Sequence, residues 1–559
     1  MDSMYSPSFN ASLCHSIQEF WNNDALSDYG TNTFQYKDVA RIIEKLHIIF
    51  EASGVQHGDK VAICGKNSAR WGIAFLATLT YGAVAVPILH EFHPEQIHDI
   101  VNHSEAKLLF VGDLVWPKLD PDKMPLLEGI FGNSDEEYKL HVGRTDKVRY
   151  ARENLNRLFG EKFPMNFRRQ HISYYEDKPD EMAILNYTSG TTSNSKGVMI
   201  PYRAIWSNCE FAFQVMGKHV KTGARVLSML PMAHMYGMAF EFLYEMVCGA
   251  HVYFLTKTPS PQILLKAFAD IKPHIIIAVP LIIEKIVRKA IFPKIQAPAI
   301  RLALMTPFLR DRIKANIRRR MQTAFGDNFY EIIVGGAAIN YDIETFLKGI
   351  GFNYTIGYGL TECAPILAYE DWTRFVQGSC GKVAPRMEVK IDSPDPYNIP
   401  GEILARGMNI MLGYYKNEEA TEEAMRGGWY HTGDLGVIDH EGNIFIKGRS
   451  KNMLLGANGQ NIYPEEIEDK LSSLPYVSEC VVIQKDEKLY GLVYADPDDV
   501  RKGHLTQKQL EEQMEKNRQD LNLIVPSYAR LHAIRLMPEE FEKTPKKSIK
   551  RYKYMDYPV

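Results

Sequence analysis

The chain has few of the features that would staple, anchor or strongly charge it. Its seven cysteines, at positions 14, 64, 209, 248, 363, 380 and 480, are scattered through 559 residues. No C-x-x-C pair occurs and the total is odd, which argues against a disulfide framework or a zinc ribbon and fits a reducing cytosol. Met1–Asn22 has no basic stretch leading into an apolar one, so it does not read as a secretory signal. Net charge is only −3, so no whole-molecule field points to nucleic acid, and a small-molecule partner is expected. There is no G-x-S-x-G nucleophile elbow, no internal repeat and no low-complexity tract. His90-Glu-Phe-His93 lacks the H-E-x-x-H spacing of a zinc protease and reads as a surface turn. One window, Trp71–Leu89, carries no charge and approaches transmembrane length. Gly72, Thr78, Thr80, Gly82 and Pro87 interrupt it. A helix over Trp71–Tyr81, turning at Gly82 into a buried strand Ala83–Ile88, is expected instead.

The composition is that of an ordinary globular protein, with 45% apolar and 24% charged residues. Between residues 30 and 300, amphipathic stretches such as Tyr36–Ala52 alternate with short apolar runs at Val61–Cys64, Lys107–Val111, Val226–Leu230, His251–Leu255 and Ile275–Val279. That alternation predicts an α/β fold with mostly parallel strands. Gly143–Arg169 is densely charged and reads as a solvated face or a connector. Phe308–Met321 carries six basic residues, for which solvent is the default partner and a phosphate or anionic membrane the alternative. After about residue 380, short strands with glycine turns predict a β-rich subdomain, including a hairpin around Asp439-His-Glu-Gly442. From Arg449 on, a Gly/Asn-rich loop, a helix opened by Pro464 and strands at Cys480–Gln484 and Leu489–Tyr494 predict a small α+β domain. The expected division is a large domain over residues 1–449 and a small mobile one over 450–559.

The densest concentration of chemistry is Tyr187-Thr-Ser-Gly-Thr-Thr-Ser-Asn-Ser-Lys-Gly197, directly after the apolar run Met182–Leu185. Glycine lets backbone approach an anion, hydroxyls and N–H groups donate to phosphate oxygens, and Lys196 adds a movable positive charge. Each charge-assisted hydrogen bond of this kind contributes about 1.5–3 kcal/mol. The order is not that of a Walker A loop, because Ser195 precedes the lysine and Gly197 follows it. A flexible Ser/Thr-rich turn has the same composition, so other segments must decide.

Four do. Gly335-Gly-Ala-Ala338 follows the apolar run Ile332–Val334, and Gly357-Tyr-Gly-Leu-Thr-Glu362 follows Tyr354–Ile356. Trp429-Tyr-His-Thr-Gly-Asp434 precedes the hairpin, and Lys447-Gly-Arg-Ser-Lys451 leaves it. In this order and at these separations, from about Thr31 to about Lys553, they resemble the adenylate-forming superfamily. Leu230-Pro-Met-Ala-His-Met-Tyr236 and the terminal Glu542–Arg551 look most like a long-chain fatty acyl-CoA synthetase. The resemblance implies that Thr188, Ser189, Gly190, Thr191, Thr192 and Lys196 hold the phosphates of ATP. It implies that Glu362, helped by Thr188, binds Mg²⁺, a hard cation suited to oxygen ligands. Gly335, Gly336 and Ala337 would wall the adenine slot, Tyr358 would stack on the base, and Gly359 and Thr361 would complete the nucleotide contacts. Asp434 and Arg449 would hold the ribose, Lys451 would be the pivot of the small domain, and His234 would lie near the reacting carboxylate. The implied reaction joins a fatty acid to AMP and then to coenzyme A, in the cytoplasm, with peripheral membrane contact the alternative suited to a lipid substrate.

The sequence departs from that pattern twice. Ser193 and Ser195 stand where the family usually shows glycine and proline, which changes loop stiffness more than charge. Ser548 stands in the column of the terminal catalytic lysine, and Lys547, one residue away, is expected to take its place. Two alternatives stay open: a ligase that hands its acyl-adenylate to a carrier protein, and a nucleotide-binding protein with little turnover. Met229, Met232, Met235, Met238 and Phe240 around His234 read either as an acyl tunnel or as ordinary core.

Overall fold

The computed structural model describes residues 8–133, 138–188, 196–292, 306–455, 461–544 and 549–559. The largest sheet has eight strands. Its order is Gly413–Tyr414, Lys196–Pro201, Met182–Thr188, Val84–Leu89, Lys60–Gly65, Ala106–Val111, Gly129–Gly132 and Leu140–Gly143. The interior pairs are parallel, and antiparallel strands close both edges. The uncharged window lies at the centre of this sheet. Ser68 caps the helix Ala69–Tyr81 by accepting from the Trp71 N–H, Gly82 turns with φ +81°, and all six residues of Val84–Leu89 are buried. A Cβ on Gly82 would stand 2.7 Å from the Tyr175 ring, so the turn needs glycine for room as well as for its left-handed backbone. The missing charge therefore reflects a strand covered on both faces. Among the described residues no helix is long and apolar enough to cross a membrane.

Tyr36–Ala52 is a helix as its periodicity predicts, with Val39, Ile43, Leu46 and Phe50 on its buried face. Its start is fixed where the Gln35 N–H donates to Asp38 Oδ2 at 3.0 Å. The charged segment after Gly143 is more structured than a connector: it holds the helices Asp146–Glu153 and Leu155–Lys162, and Val148, Ala151 and Leu155 reach the core. The basic run lies on the helix Pro307–Ala324, with Arg310, Arg312, Arg318, Arg319 and Arg320 exposed. His90–Phe92 is a turn, although Phe92 itself is buried.

Among the described residues four further sheets lie in the part up to Arg449, one of them the small antiparallel set Tyr358–Gly359, Ile366–Tyr369 and Lys382–Val383. Ile276–Ala278, Ile332–Val334 and Tyr354–Ile356 run parallel in register. Arg225–Ser228, His251–Phe254, Asp24–Asp28 and Thr33–Gln35 form a mixed sheet. Met387–Asp392, Gly401–Gly407, Tyr430–Ile438 and Ile444–Arg449 form an antiparallel sheet, the expected β-rich part with its hairpin. The molecule is thus α/β with a strand-rich subdomain. Beyond Met453, the strands Glu479–Lys485, Lys488–Tyr494 and Leu531–Leu536 pack against the helices Pro464–Ser472 and Gln507–Ile524. They enclose an apolar core of their own that includes Ile467, Leu471, Val482, Leu489, Met514 and Leu521. This layer touches the rest where Asn340 Nδ2 donates to Ser472 Oγ and Ser473 Oγ, each at 2.9 Å, and where Lys447 pairs with Glu466 at 3.1 Å.

The core also holds carboxyl groups. Glu245 is fully buried, neither of its oxygens has a hydrogen-bond partner among the described residues, and burial pushes its pKa from 4.5 up to about 8. The folded state therefore keeps a proton that the unfolded chain has lost. Stability is fully present below the unfolded value, falls as pH rises through the interval, and levels off above the folded value. The slope from this one group is at most about 1.4 kcal/mol per pH unit. Urea unfolding midpoints should accordingly fall more steeply between about pH 5 and about pH 8 in the wild type than in Glu245→Gln; parallel slopes in the two proteins would show that Glu245 is not the group.

Candidate functional site

The site is built where the three in-register parallel strands end. Beyond Ala278 and Val334 the chain turns, the Gly335 N–H donating to the Ala278 carbonyl at 3.0 Å and the Gly357 N–H to the Val334 carbonyl at 2.9 Å. Ligand crevices of open α/β sheets form at such carboxyl ends. Gly335 is required by contact, because a Cβ there would meet the Tyr236 ring at 2.9 Å; Gly336 has φ +86°. Gly336 and Ala337 face solvent on the rim.

A carboxylate, a guanidinium and a tyrosine come together from three elements. Asp434 and Arg449 are directly opposed on the antiparallel strands Tyr430–Ile438 and Ile444–Arg449, and Arg449 Nε pairs with Asp434 Oδ1 at 2.7 Å. Tyr358 Oη donates to the other oxygen, Oδ2, at 2.6 Å. The Asp434 backbone is held as well, its N–H donating to Thr432 Oγ1 at 3.0 Å while that hydroxyl donates to the Ile403 carbonyl at 2.7 Å. Burial raises the Asp434 pKa, and Arg449 and Tyr358 oppose the rise. The Arg449 side chain is 54% exposed, so the ion pair is screened and its contribution to stability is small. Its value is geometric: it fixes the carboxylate's orientation.

A second cluster surrounds Tyr414. The strands Met182–Thr188 and Lys196–Pro201 close a hairpin in which Thr188 opposes Lys196. Gly413–Tyr414 pairs with the second of these strands, setting Tyr414 opposite Val198. Lys196 Nζ lies 4.7 Å from the centre of the Tyr414 ring, a cation–π distance. The Tyr414 hydroxyl donates to Glu362 Oε1 at 3.1 Å. Lys196 and Glu362 are thus gathered on one tyrosine. Thr361 and Glu362 form a tight 3-10 turn with Cys363, fastened where the Met411 N–H donates to the Glu362 carbonyl at 2.9 Å. The remaining Glu362 oxygen has no hydrogen-bond partner among the described residues, and no group of three His, Cys, Asp or Glu residues gathers there to hold a metal. A lone carboxylate of this kind suits a Mg²⁺ whose other ligands are phosphates and water.

The other expectations are placed as follows. His234 precedes the short helix Met235–Met238, and Met229, Met232, Met235, Met238 and Phe240 are all buried. Gly359 lies against Pro365, where a Cβ would come within 2.2 Å of the carbonyl oxygen. Lys451 is exposed in the turn Ser450–Asn452 and joins neither cluster. Ser189, Gly190, Thr191 and Thr192, the loop 456–460, Lys547 and Ser548 lie outside the described residues. Lys550 is described and pairs with Glu542. Cys380 is buried and its thiol is pushed up to about 12 by burial, so it is inert as a nucleophile. Sequence reasoning missed Tyr414, Thr432, Asn67, Asn186 and Glu241. Tyr414, beside Gly413 and ahead of an acidic helix, and Thr432, inside the Trp429–Asp434 motif, had signals of their own.

A family model described as AMP-binding enzyme matches residues 14–415. Among curated relatives, the long-chain-fatty-acid–CoA ligase FadD15 of Mycobacterium bovis is 28% identical, covering 80% of this chain and 74% of that protein. The long-chain-fatty-acid–CoA ligase of Bacillus subtilis is 27% identical, covering 84% and 81%. Among solved structures, O-succinylbenzoate coenzyme A synthetase of Bacillus subtilis in complex with ATP and magnesium superposes with a TM-score of 0.74 at 19% identity, over 98% of this chain and 99% of that one; at that identity the likeness concerns the fold. The match to the family model spans well over half of the chain, which belongs to the AMP-binding enzyme family.

Proposed function

We propose that the protein activates a fatty acid with ATP and transfers it to coenzyme A. The observation that carries this reading is the meeting of two sets: Lys196 and Glu362 on Tyr414, and Asp434 with Arg449 and Tyr358. The first set suits a polyphosphate and the buried carboxylate suits ribose hydroxyls, and the two are near enough for the Glu362 charge to bear on Asp434, as an adenylating site requires. The identity of the acid as a fatty acid is supported by the relatives' names and by the buried methionines beside His234.

In the first half-reaction an oxygen of the substrate carboxylate forms a bond to the α-phosphorus of ATP, and pyrophosphate leaves with the electrons of the broken P–O bond. Thr188 to Lys196 grip the departing phosphates, and Lys196 offsets the charge that develops on them. Glu362, with Thr188, would hold Mg²⁺, which when bound neutralises pyrophosphate. Asp434 accepts from the ribose hydroxyls while Arg449 and Tyr358 keep the carboxylate aimed. Gly335, Gly336, Ala337 and Gly359 leave room for the base beside Tyr358, and Thr361 holds the turn that presents Glu362. His234 sits at the acid end. In the second half-reaction the thiol sulfur of coenzyme A attacks the acyl carbon, its proton is released, and AMP leaves. We assign residues 1–449 to the large domain and 450–559 to a small one pivoting at Lys451, with Lys547 supplying the terminal ammonium.

Three measurements test the reading. AMP release with and without coenzyme A, across a panel of carboxylic acids, should be greatest with fatty acids and should yield acyl-CoA; adenylate without thioester would point to a carrier protein, and no AMP with any acid to a binding protein. Asp434→Asn should raise KM for ATP about 10- to 100-fold, the equivalent of one charge-assisted hydrogen bond; an unchanged KM would remove Asp434 from the ribose site. In ATP–pyrophosphate exchange, Lys547→Ala should slow turnover whereas Lys550→Ala, already paired with Glu542, should not. Wild-type rates in both would remove the Lys547 assignment.

A further inference from the structure

The segment Met229–His234 joins the strand Arg225–Ser228 to the helix Met235–Met238, and three polar side chains distant from it, the buried Asn186 and Glu241 and the half-buried Asn67, take up its backbone hydrogen bonds. The N–H groups of Met229 and Leu230 both donate to Glu241 Oε2, at 3.1 and 3.0 Å. Asn67 grips the next stretch from both sides: Oδ1 accepts from the Met232 N–H at 2.9 Å, and Nδ2 donates to the Leu230 carbonyl at 2.6 Å. Asn186 Nδ2 donates to the Ala233 carbonyl at 2.9 Å, and the His234 N–H closes onto the Pro231 carbonyl at 2.9 Å. Glu241 is 0% exposed and Asn186 1% exposed. Most polar groups so deeply buried have well-placed partners, as Asn186 and Glu241 Oε2 do here, and such networks specify one conformation.

Two features make this arrangement more than packing. Glu241 reaches back to Met229 from the middle of a π-helical turn, Ala239–Leu243, a rare element found most often beside functional sites. Asn186 lies in the strand Met182–Thr188, two residues before the threonine that opens the phosphate loop, and its partner Ala233 immediately precedes His234.

We propose that Asn67, Asn186 and Glu241 are positioning residues for the acid-binding half of the site. They hold Met229–His234 as a rigid wall with His234 at its end, and Asn186 also fastens that wall to the phosphate hairpin. The inference rests on the reading above that a carboxylic acid is activated here, and it predicts that the three residues act differently. Asn67 bonds to the acid-side wall and to Ser228 at its start, and Glu241 bonds to the wall; Asn186 links it to the nucleotide side.

The test is steady-state kinetics of Asn67→Ala, Asn186→Ala, Glu241→Ala and Glu241→Gln, with dodecanoate and ATP varied in turn. Asn67→Ala and Glu241→Ala should lower kcat/KM for dodecanoate about 100-fold, as an ångström of misplacement does, with KM for ATP unchanged. Asn186→Ala should weaken both substrates. Glu241→Gln, whose amide oxygen accepts from both N–H groups, should restore the acid kinetics. Equal losses for acid and ATP in all variants, or none, would overturn the assignment. Amide hydrogen exchange supplies a readout that does not depend on turnover: Asn67→Ala should quicken exchange at Met229, Leu230 and Met232 and leave the strand Lys60–Gly65 protected. Unchanged exchange there would overturn the wall even if the wild type released no AMP, an outcome that would itself count against the proposed function alone.

Discussion

Lys196 and Glu362 come from elements far apart in the chain, and the separation between them is set by a strand of two residues. Gly413–Tyr414 joins the edge of the eight-stranded sheet by pairing with Val198 and Met199. The same sheet places Lys196 opposite Thr188, so once the register is fixed, the tyrosine ring stands over the lysine and its hydroxyl reaches the glutamate. Ladder hydrogen bonds permit no gradual adjustment; a slip of one residue would turn Tyr414 to the other face. Much of the polar half of the site therefore depends on the pairing of one short edge strand.

The opposite half depends on burial. Asp434 is 4% exposed, and its desolvation is offset by hydrogen bonding and by an arginine that remains largely in water. An exposed cation paired with a buried anion gives little net stability, because solvent screens the one and burial penalises the other. Its effect is orientation, with Tyr358 on one carboxylate oxygen and Arg449 on the other. Glu245 has no such partner, and burial holds its carboxyl in the protonated form at neutral pH. Burial raises the pKa of both acids, and at Asp434 the rise is opposed by the Arg449 cation, which has no counterpart at Glu245 among the described residues.

How far the sequence could be read follows the range of the interactions involved. Periodicity placed Tyr36–Ala52, and the glycine at 82 marked the turn out of the helix Ala69–Tyr81, because both signals are local. The charged segment after Gly143 was read as a solvated face or a connector because charge density hid the few apolar positions, Val148, Ala151 and Leu155, that dock its helices. Asn67, Asn186 and Glu241 left no trace in the sequence, since an asparagine or glutamate looks the same whether it faces water or a backbone turn.

The sequence by itself determined the α/β class, the glycine-marked turns and the ordered set of motifs that identifies the family. These depend on residue type and on spacing along the chain. Only the tertiary structure decided which residues meet: Lys196 with Tyr414 and Glu362, Asp434 with Arg449 and Tyr358, and the Met229–His234 wall with its three polar clamps. Those contacts are set by strand register and by the cost of leaving a buried polar group without a partner, and both become defined only when distant segments pack together.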